Sequence, residues 1–126
     1  MAQRYLIDTN TVIDYLDNKL PAHAADLIDT GEIALSVITR MELLAWPKAT
    51  SQQIAVLEDF INVTTVWGLE EPVIIKGIEV RKTYHLKLPD AIIAATALTL
   101  NQVLLTRNVS DFKHIAGLSL ENPWEM

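Results

Sequence analysis

Four carboxylates spread along the sequence are the groups from which a catalytic or metal-binding site could be built: Asp8, Glu42, Asp90 and Asp111. If they gather in one place they repel one another, and some take up protons unless a cation compensates their charge. Oxygen ligands without cysteine or a histidine pair favour a hard divalent ion, Mg²⁺ or Mn²⁺. Such an ion bridges phosphate oxygens and lowers the pKa of a bound water, which can then attack phosphorus.

Each carboxylate taken alone also has an ordinary structural explanation. Asp8, after a buried apolar run, and Asp90, after a proline, can cap or complement the start of a helix. Asp111 can cap a short turn over residues 112–115. Glu42 has no lysine or arginine three or four positions away, so it either bends into water or meets a positive partner from elsewhere. The case for a site therefore depends on whether the four acids converge.

Short apolar runs that alternate with helical patterns predict how these acids are positioned. We predict strands over residues 5–7, 33–35, 63–67 and 103–105, with an edge strand over 118–120. We predict helices over 9–17, 21–30, 37–46, 51–62, 70–85 and 89–100. This alternation is typical of an α/β fold in which helices cover both faces of a parallel sheet. Because the carboxyl ends of parallel strands meet at one edge, acids that follow strands are expected to converge there.

The helix that follows Pro89 strengthens the case for Asp90. Residues 91–98 are apolar nearly all round, which predicts a central, buried helix. Asp90 therefore extends from a core element and not from a peripheral one. Hydroxyl and amide side chains beside the acids, Thr9, Thr106 and Asn108, can donate hydrogen bonds to the carboxylates, to water or to a phosphate.

Composition limits the class of protein. A chain of 126 residues, half of them apolar, predicts one domain over residues 1–126. The absence of cysteine excludes thiolate metal sites and permits an intracellular address, and we expect the cytoplasm. The apolar stretch over 91–105 is interrupted by Asn101 and is too short to cross a bilayer. Ten basic and sixteen acidic residues give a net charge of −6, which argues against a broad grip on nucleic acid.

Four segments, taken in order, resemble the PIN-domain ribonucleases, and in particular the VapC-type toxins of bacterial toxin–antitoxin pairs. The segments are LIDTN over 6–10, TRMEL over 39–43, LPDAIIA over 88–94 and LTRNVSDF over 105–112. The resemblance extends from Tyr5 to about Leu120, nearly the whole chain. Any one segment alone would be a weak match, whereas four in the right order are specific.

The resemblance implies a three-layer α/β/α sandwich with a short parallel sheet, and a divalent-metal-dependent endoribonuclease. By match, Asp8 and Asp90 are direct metal ligands, and Glu42 helps to hold metal or to activate water. Asp111 supports the second side of the site, although Asn108 competes with it for that fourth role. The metal would be Mg²⁺ or Mn²⁺, held by oxygen ligands only.

The resemblance also implies partners. Besides the RNA substrate, we expect a homodimer and a cognate antitoxin whose C-terminal segment blocks the site. Trp46, expected to be exposed on the same helix as Glu42, is a candidate for the antitoxin groove, and a core tryptophan is the alternative. Arg107 lies beside the acidic motifs and could hold RNA phosphates, with a solvated surface cation as the alternative.

Two other classes of function stay open. The first is a binding module that keeps the PIN fold without the chemistry, which the acidic net charge favours. The second is a phosphoacceptor domain of the receiver type, which also clusters acids at strand ends. That class normally needs adjacent acids after the first strand and a lysine after the last. This chain has Asp8 followed by Thr9 and Thr106 followed by Arg107, so the phosphoacceptor ranks last.

Overall fold

The computed structural model describes residues 3–126 and contains a parallel sheet between layers of helices. The strands are β1 (Arg4–Ile7), β2 (Glu32–Ser36), β3 (Thr65–Trp67), β4 (Val103–Leu105) and β5 (Leu120–Glu121). They lie in the order β3-β2-β1-β4-β5, and every neighbouring pair is parallel. The predicted α/β fold with a short parallel sheet is therefore confirmed, with β1 at the centre of the sheet.

Helices connect the strands and cover the sheet. The described part of the chain has seven: α1 (Thr9–Leu16), α2 (Ala22–Thr30), α3 (Val37–Leu44), α4 (Ser51–Asn62), α5 (Glu71–Tyr84), α6 (Leu88–Leu100) and α7 (Val109–Phe112). A 3₁₀ turn over Pro123–Glu125 follows β5.

Two apolar cores lie on opposite faces of the sheet, because successive side chains of a strand point to opposite sides. Leu6 of β1 belongs to the core that α5 and α6 cover, together with residues such as Val80 and Ile93. Ile7, the next residue, belongs to the core that α1, α2 and α4 cover, together with residues such as Leu57. Burial of each such side chain stabilises the fold by about 1.5–3 kcal/mol. The central strand is thereby fixed from both sides, and so is the residue that follows it.

Short polar side chains begin several helices where the sequence predicts them. The Ser36 hydroxyl accepts the backbone N–H of Ile38 at 3.1 Å and caps α3. Thr50 and Gln53 form a reciprocal capping box at the start of α4. Each cap satisfies an N–H group that would otherwise lack a partner in the first turn.

Three predicted boundaries are wrong. The edge strand expected over 118–120 is β5, which begins only at Leu120 and ends at Glu121. The strand expected over 63–67 begins only at Thr65, because Val63 is the C-cap of α4 and is 85% exposed. The helix expected over 37–46 ends at Leu44, three residues before Pro47. The ring of a proline disfavours helical geometry in the residue before it, so Trp46 falls outside the helix.

Candidate active site

Asp8 is the fixed point of the site. It follows β1 and caps α1, and its side chain is almost fully buried, with 5% of the residue exposed. One carboxylate oxygen accepts the backbone N–H of Thr11 at 2.9 Å, and the other accepts the Thr106 hydroxyl at 2.5 Å. Since both oxygens are held, the carboxylate has a defined orientation at the carboxyl edge of the sheet.

The surroundings of Asp8 have opposing effects on its pKa. Burial raises the pKa of Asp8 above its ordinary value, because the charged form loses water. Hydrogen bonds from Thr106 and Thr11, and the positive charge of Arg107, act in the opposite direction and lower that pKa. The fold thus supplies donors to a carboxylate that it also removes from solvent.

Thr106 links Asp8 to the loop after β4. Its side chain is fully buried, and its hydroxyl donates to Asp8 while it accepts the backbone N–H of Asn108 at 3.0 Å. Asn108 itself is exposed and stands directly before α7. The main chain of Asn108 therefore supports the threonine that supports Asp8.

Glu42 enters the site from α3. The Thr9 hydroxyl, in the first turn of α1, donates to the Glu42 carboxylate at 2.7 Å, and it also lies 3.3 Å from the hydroxyl oxygen of Thr39. Glu42 is exposed, as one of the two alternatives from the sequence expected. Thr9 thus ties Glu42 to the residue next to Asp8.

Asp90 shows which acids are neighbours. It stands in the first turn of α6 and is partly buried. Burial is the largest cause that raises the pKa of Asp90, followed by the negative charges of Asp111, Glu42 and Asp8, whereas Lys87 lowers it. The charges of the other three acids proposed from the sequence therefore act on Asp90 at this edge of the sheet.

The four acids do not form a ready-made metal cage. Within residues 3–126, no group of three or more Asp, Glu or His side chains is arranged to hold a metal ion. Asp8 is buried and fixed, whereas Glu42 and Asp111 are exposed. Asp111 lies inside α7 and does not cap a turn over residues 112–115, so its carboxylate is presented from the surface of a short helix.

Asp14 is a buried acid near the site that was not predicted from the sequence. This residue of α1 is 6% exposed, and its Oδ2 atom lies 3.1 Å from the indole nitrogen of Trp124 and 3.3 Å from Nη1 of Arg107. An acid between the apolar positions Ile13 and Leu16 was the available signal. Its partners are 93 and 110 positions away along the chain.

A groove lies beside Glu42. It has a volume of about 850 Å³ and runs between the end of α1, the end of α3 and α4. Trp46, 42% exposed and just beyond α3, lines it and is not a core residue. Apolar lining side chains include Ile13, Leu16, Leu43, Pro47 and Val56.

No helix within residues 3–126 is long and apolar enough to cross a membrane.

The structure is a parallel α/β sheet covered by helices, with acidic side chains at its carboxyl edge, and the sequence match specifies the family. The family model of the PIN domain matches residues 5–118. The chain belongs to the PIN-domain family.

Individual relatives are similar over most of their length. The chain is 38% identical to ribonuclease VapC19 of Mycobacterium tuberculosis over 117 residues, which cover 85% of this chain and 90% of the relative. It is 30% identical to the tRNA(fMet)-specific endonuclease VapC of Salmonella typhimurium, with 94% and 97% of the two chains covered. A toxin–antitoxin complex from Klebsiella pneumoniae contains a chain with a TM-score of 0.77 and 30% identity, over 97% of this chain and 99% of that one.

Proposed function

We propose that this protein is a divalent-metal-dependent endoribonuclease and the toxin of a toxin–antitoxin pair. The observation that carries the proposal is the electrostatic environment of Asp90, whose pKa is raised by burial and then by the charges of Asp111, Glu42 and Asp8. Acids that repel one another at the end of a central strand are costly to stability, and a bound cation removes that cost. The names of the two VapC relatives support RNA as the substrate class.

The donor set fits a hard cation. The candidate ligands offer carboxylate oxygens only, and Mg²⁺ or Mn²⁺ prefers oxygen. Asp8 and Asp90 are the proposed direct ligands, Glu42 the third acid, and Asp111 the fourth. Asp111 is favoured over Asn108 for the fourth position, because Asp111 has a negative charge that acts on Asp90 and Asn108 has none.

The residues of this chain divide the remaining work. Thr106 and the Thr11 N–H hold Asp8 in one orientation, and Thr9 orients Glu42. Glu42, which is exposed, can accept a proton from the attacking water. When bound, the metal ion supplies charge neutralisation at the scissile phosphate and lowers the pKa of that water.

The groove beside Glu42 is the proposed antitoxin site. Its lining is mostly apolar, with Trp46 in reach of a partner and Glu42 among the lining residues. A segment laid in this groove would reach one of the site acids and block access of RNA. The structural similarity to a chain of a toxin–antitoxin complex supports such a partner.

A homodimer is proposed on a different surface. Helix α5 carries three exposed isoleucines, Ile74, Ile75 and Ile78, with 38%, 57% and 57% of each residue exposed. Adjacent exposed isoleucines are typical of a surface that another chain covers.

The cytoplasm remains the proposed location of the protein.

RNA cleavage tests the catalytic part of this proposal. Purified protein is incubated with end-labelled tRNA and messenger RNA in Mg²⁺ or Mn²⁺, then with EDTA in place of the metal. We expect cleavage that EDTA abolishes and that Asp8→Asn reduces on the order of a hundredfold or more. Glu32→Gln, which removes one acid at the opposite edge of the sheet, serves as the matched control. Cleavage that survives both chelation and Asp8→Asn would remove the mechanism.

A binding module without catalysis is the second candidate, and the net charge of −6 favours it. It predicts no metal-dependent cleavage of any RNA. It also predicts that Trp46→Ala abolishes binding of a partner protein and that Asp90→Asn does not. The nuclease proposal instead predicts that the wild type cleaves RNA and that Asp90→Asn does not.

A further inference from the structure

A three-residue contact joins the C-terminal turn to the first helix. The buried Asp14 carboxylate accepts the Trp124 indole N–H at 3.1 Å through the same oxygen that lies 3.3 Å from Nη1 of Arg107. Pro123 is fully buried, and the Trp124 backbone N–H donates to the Asn122 side chain at 3.0 Å. The turn is therefore well anchored, and the indole has a defined place.

The environments of the two charges in this contact differ. The Asp14 side chain is 9% exposed and the Arg107 side chain 47% exposed. A guanidinium has five N–H donors in a planar fork, and the contact with Asp14 engages one nitrogen. Because nearly half of the Arg107 side chain is exposed, guanidinium donors that do not contact Asp14 are accessible to an anion.

Arg107 also lies close to the acidic edge in the chain and in its electrostatic effect. It follows Thr106, the residue that donates to Asp8, and its positive charge lowers the pKa of Asp8. The guanidinium is therefore electrostatically close to the acid that anchors the candidate site. Forked, charge-assisted contacts are the strongest that a side chain offers to a phosphate.

We propose that Asp14 and Trp124 are positioning residues that hold Arg107 at the rim of the acidic edge, where its guanidinium contacts a phosphate of the RNA substrate. This inference rests on the proposed nuclease function. In it, Asp14 touches no substrate and acts through Arg107. The surplus acidity of the chain makes a defined cation valuable at this place, because the net charge of −6 otherwise repels RNA.

Steady-state kinetics on RNA with Mg²⁺ separate positioning from general charge. Removal of an acid from an acidic protein should favour RNA binding, so a simple charge effect lowers KM. The proposal predicts the opposite sign for Asp14→Asn. We expect Arg107→Gln to raise KM about tenfold, the equivalent of one lost charge-assisted hydrogen bond. Asp14→Asn should raise KM several-fold, with kcat within about a factor of two because ground-state binding is what changes.

The matched control is Glu32→Gln. It also removes one carboxylate from an arginine–carboxylate pair, with Arg4 at 3.0 Å, at the opposite edge of the sheet. Its KM should equal that of the wild type or lie slightly below it. The double variant Asp14→Asn/Arg107→Gln should match Arg107→Gln alone, because residues that act through one contact are not additive. A folded Asp14→Asn variant whose KM is at or below that of the wild type overturns the proposal.

A second readout does not depend on cleavage or on the stability of Asp14→Asn. The chain has three tryptophans, so its indole ¹⁵N–H resonances are few, and Trp124→Phe assigns one of them. In EDTA, titration with a short RNA oligonucleotide should shift the Trp124 resonance in the wild type and leave it in place in Arg107→Gln. If the wild type shows no metal-dependent cleavage, the nuclease proposal fails, and this titration decides alone. A shift upholds the phosphate contact, and a resonance that does not move overturns it.

Discussion

The two ends of strand β1 place ionisable side chains in opposite environments. At its start, Arg4 pairs with Glu32 at 3.0 Å, and the two side chains are 62% and 56% exposed. Beyond its end, Asp8 is 5% exposed and is held by hydrogen bonds from Thr11 and Thr106. Within a few residues the chain passes from a screened surface pair to a buried acid among other acids.

The difference shows where the fold carries a cost. The exposed pair at the amino edge has a partner of opposite charge and water around it, so it is nearly neutral in free energy. At the carboxyl edge, the pKa of Asp8 is raised by burial, and the pKa of Asp90 by burial and by three like charges. Carboxylates whose pKa values are shifted by burial and by charged neighbours are typical of functional sites. The comparison can be tested at each end of the strand.

The largest expected effect is on catalysis. Asp8→Ala should lower the rate of RNA cleavage in Mg²⁺ on the order of a hundredfold or more, because it removes the proposed anchoring ligand. Arg4→Gln at the other end of the strand should leave the rate within a factor of about two. Initial rates on labelled RNA measure both variants. Equal losses at both ends would mean that the two edges do not differ in function.

The next effect is on stability. Thr106→Val keeps the shape of a buried side chain and removes the hydroxyl that donates to Asp8 at 2.5 Å. We expect the free energy of unfolding in urea to fall by about 1–3 kcal/mol, because a buried Asp8 oxygen loses its donor and the Asn108 N–H loses its acceptor. Thr30→Val is the control, since the Thr30 hydroxyl bonds the Asp26 carbonyl on an exposed surface. A loss no larger than that of the control would contradict the role of Thr106.

A third effect has the opposite sign. The pKa of Asp90 in the folded chain lies above its ordinary value of 3.8, so the folded state binds more protons than the unfolded state above that value. The free energy of unfolding therefore falls as pH rises from about 3.8 through the raised pKa. In metal-free buffer at pH 7, Asp90→Asn should raise the melting temperature by a few degrees.

Thermal melts from pH 4 to pH 7 measure this effect in EDTA and then in Mg²⁺. The wild type should lose stability over that interval more steeply than Asp90→Asn. Added Mg²⁺ should stabilise the wild type more than the variant, because binding to the folded state alone raises stability. An Asp90→Asn variant that melts below the wild type in EDTA would contradict a net destabilisation of the charged Asp90 by burial and by the neighbouring acids.

The smallest effect is at the amino edge. Glu32→Gln removes one partner of an ion pair that is more than half exposed. Pairs of this kind contribute less than about 1 kcal/mol. Urea denaturation in low and in high salt checks this value. A larger loss of unfolding free energy would mean that the Arg4–Glu32 pair stabilises the fold more than an exposed ion pair should.

Much of this organisation is local and was predictable from the sequence. The apolar run before Asp8, the Ser36 and Thr50 caps and the apolar helix after Asp90 are set by neighbouring residues, and the structure confirms these elements. The alternation of strands and helices then predicts a parallel sheet, although the order of its strands comes from the structure alone. The sequence alone therefore identifies the edge at which the acids lie.

The parts that escaped prediction depend on distant contacts or on competing local preferences. Asp14 accepts a hydrogen bond from Trp124, 110 positions away along the chain, and no local sequence pattern predicts that contact. Val63 has a β-branched side chain that favours a strand, but in the structure it is the C-cap of α4. Glu42 meets Thr9 across 33 positions, so its orientation was also beyond a local pattern.

Anomalous diffraction from crystals soaked in Mn²⁺ tests the central claim most directly, because it locates the cation without reference to activity. The account predicts a peak at the carboxyl edge, in contact with the Asp8 and Asp90 carboxylates, that disappears in Asp8→Asn crystals. A peak elsewhere, or a peak that persists unchanged in Asp8→Asn, would contradict a metal site built on these acids.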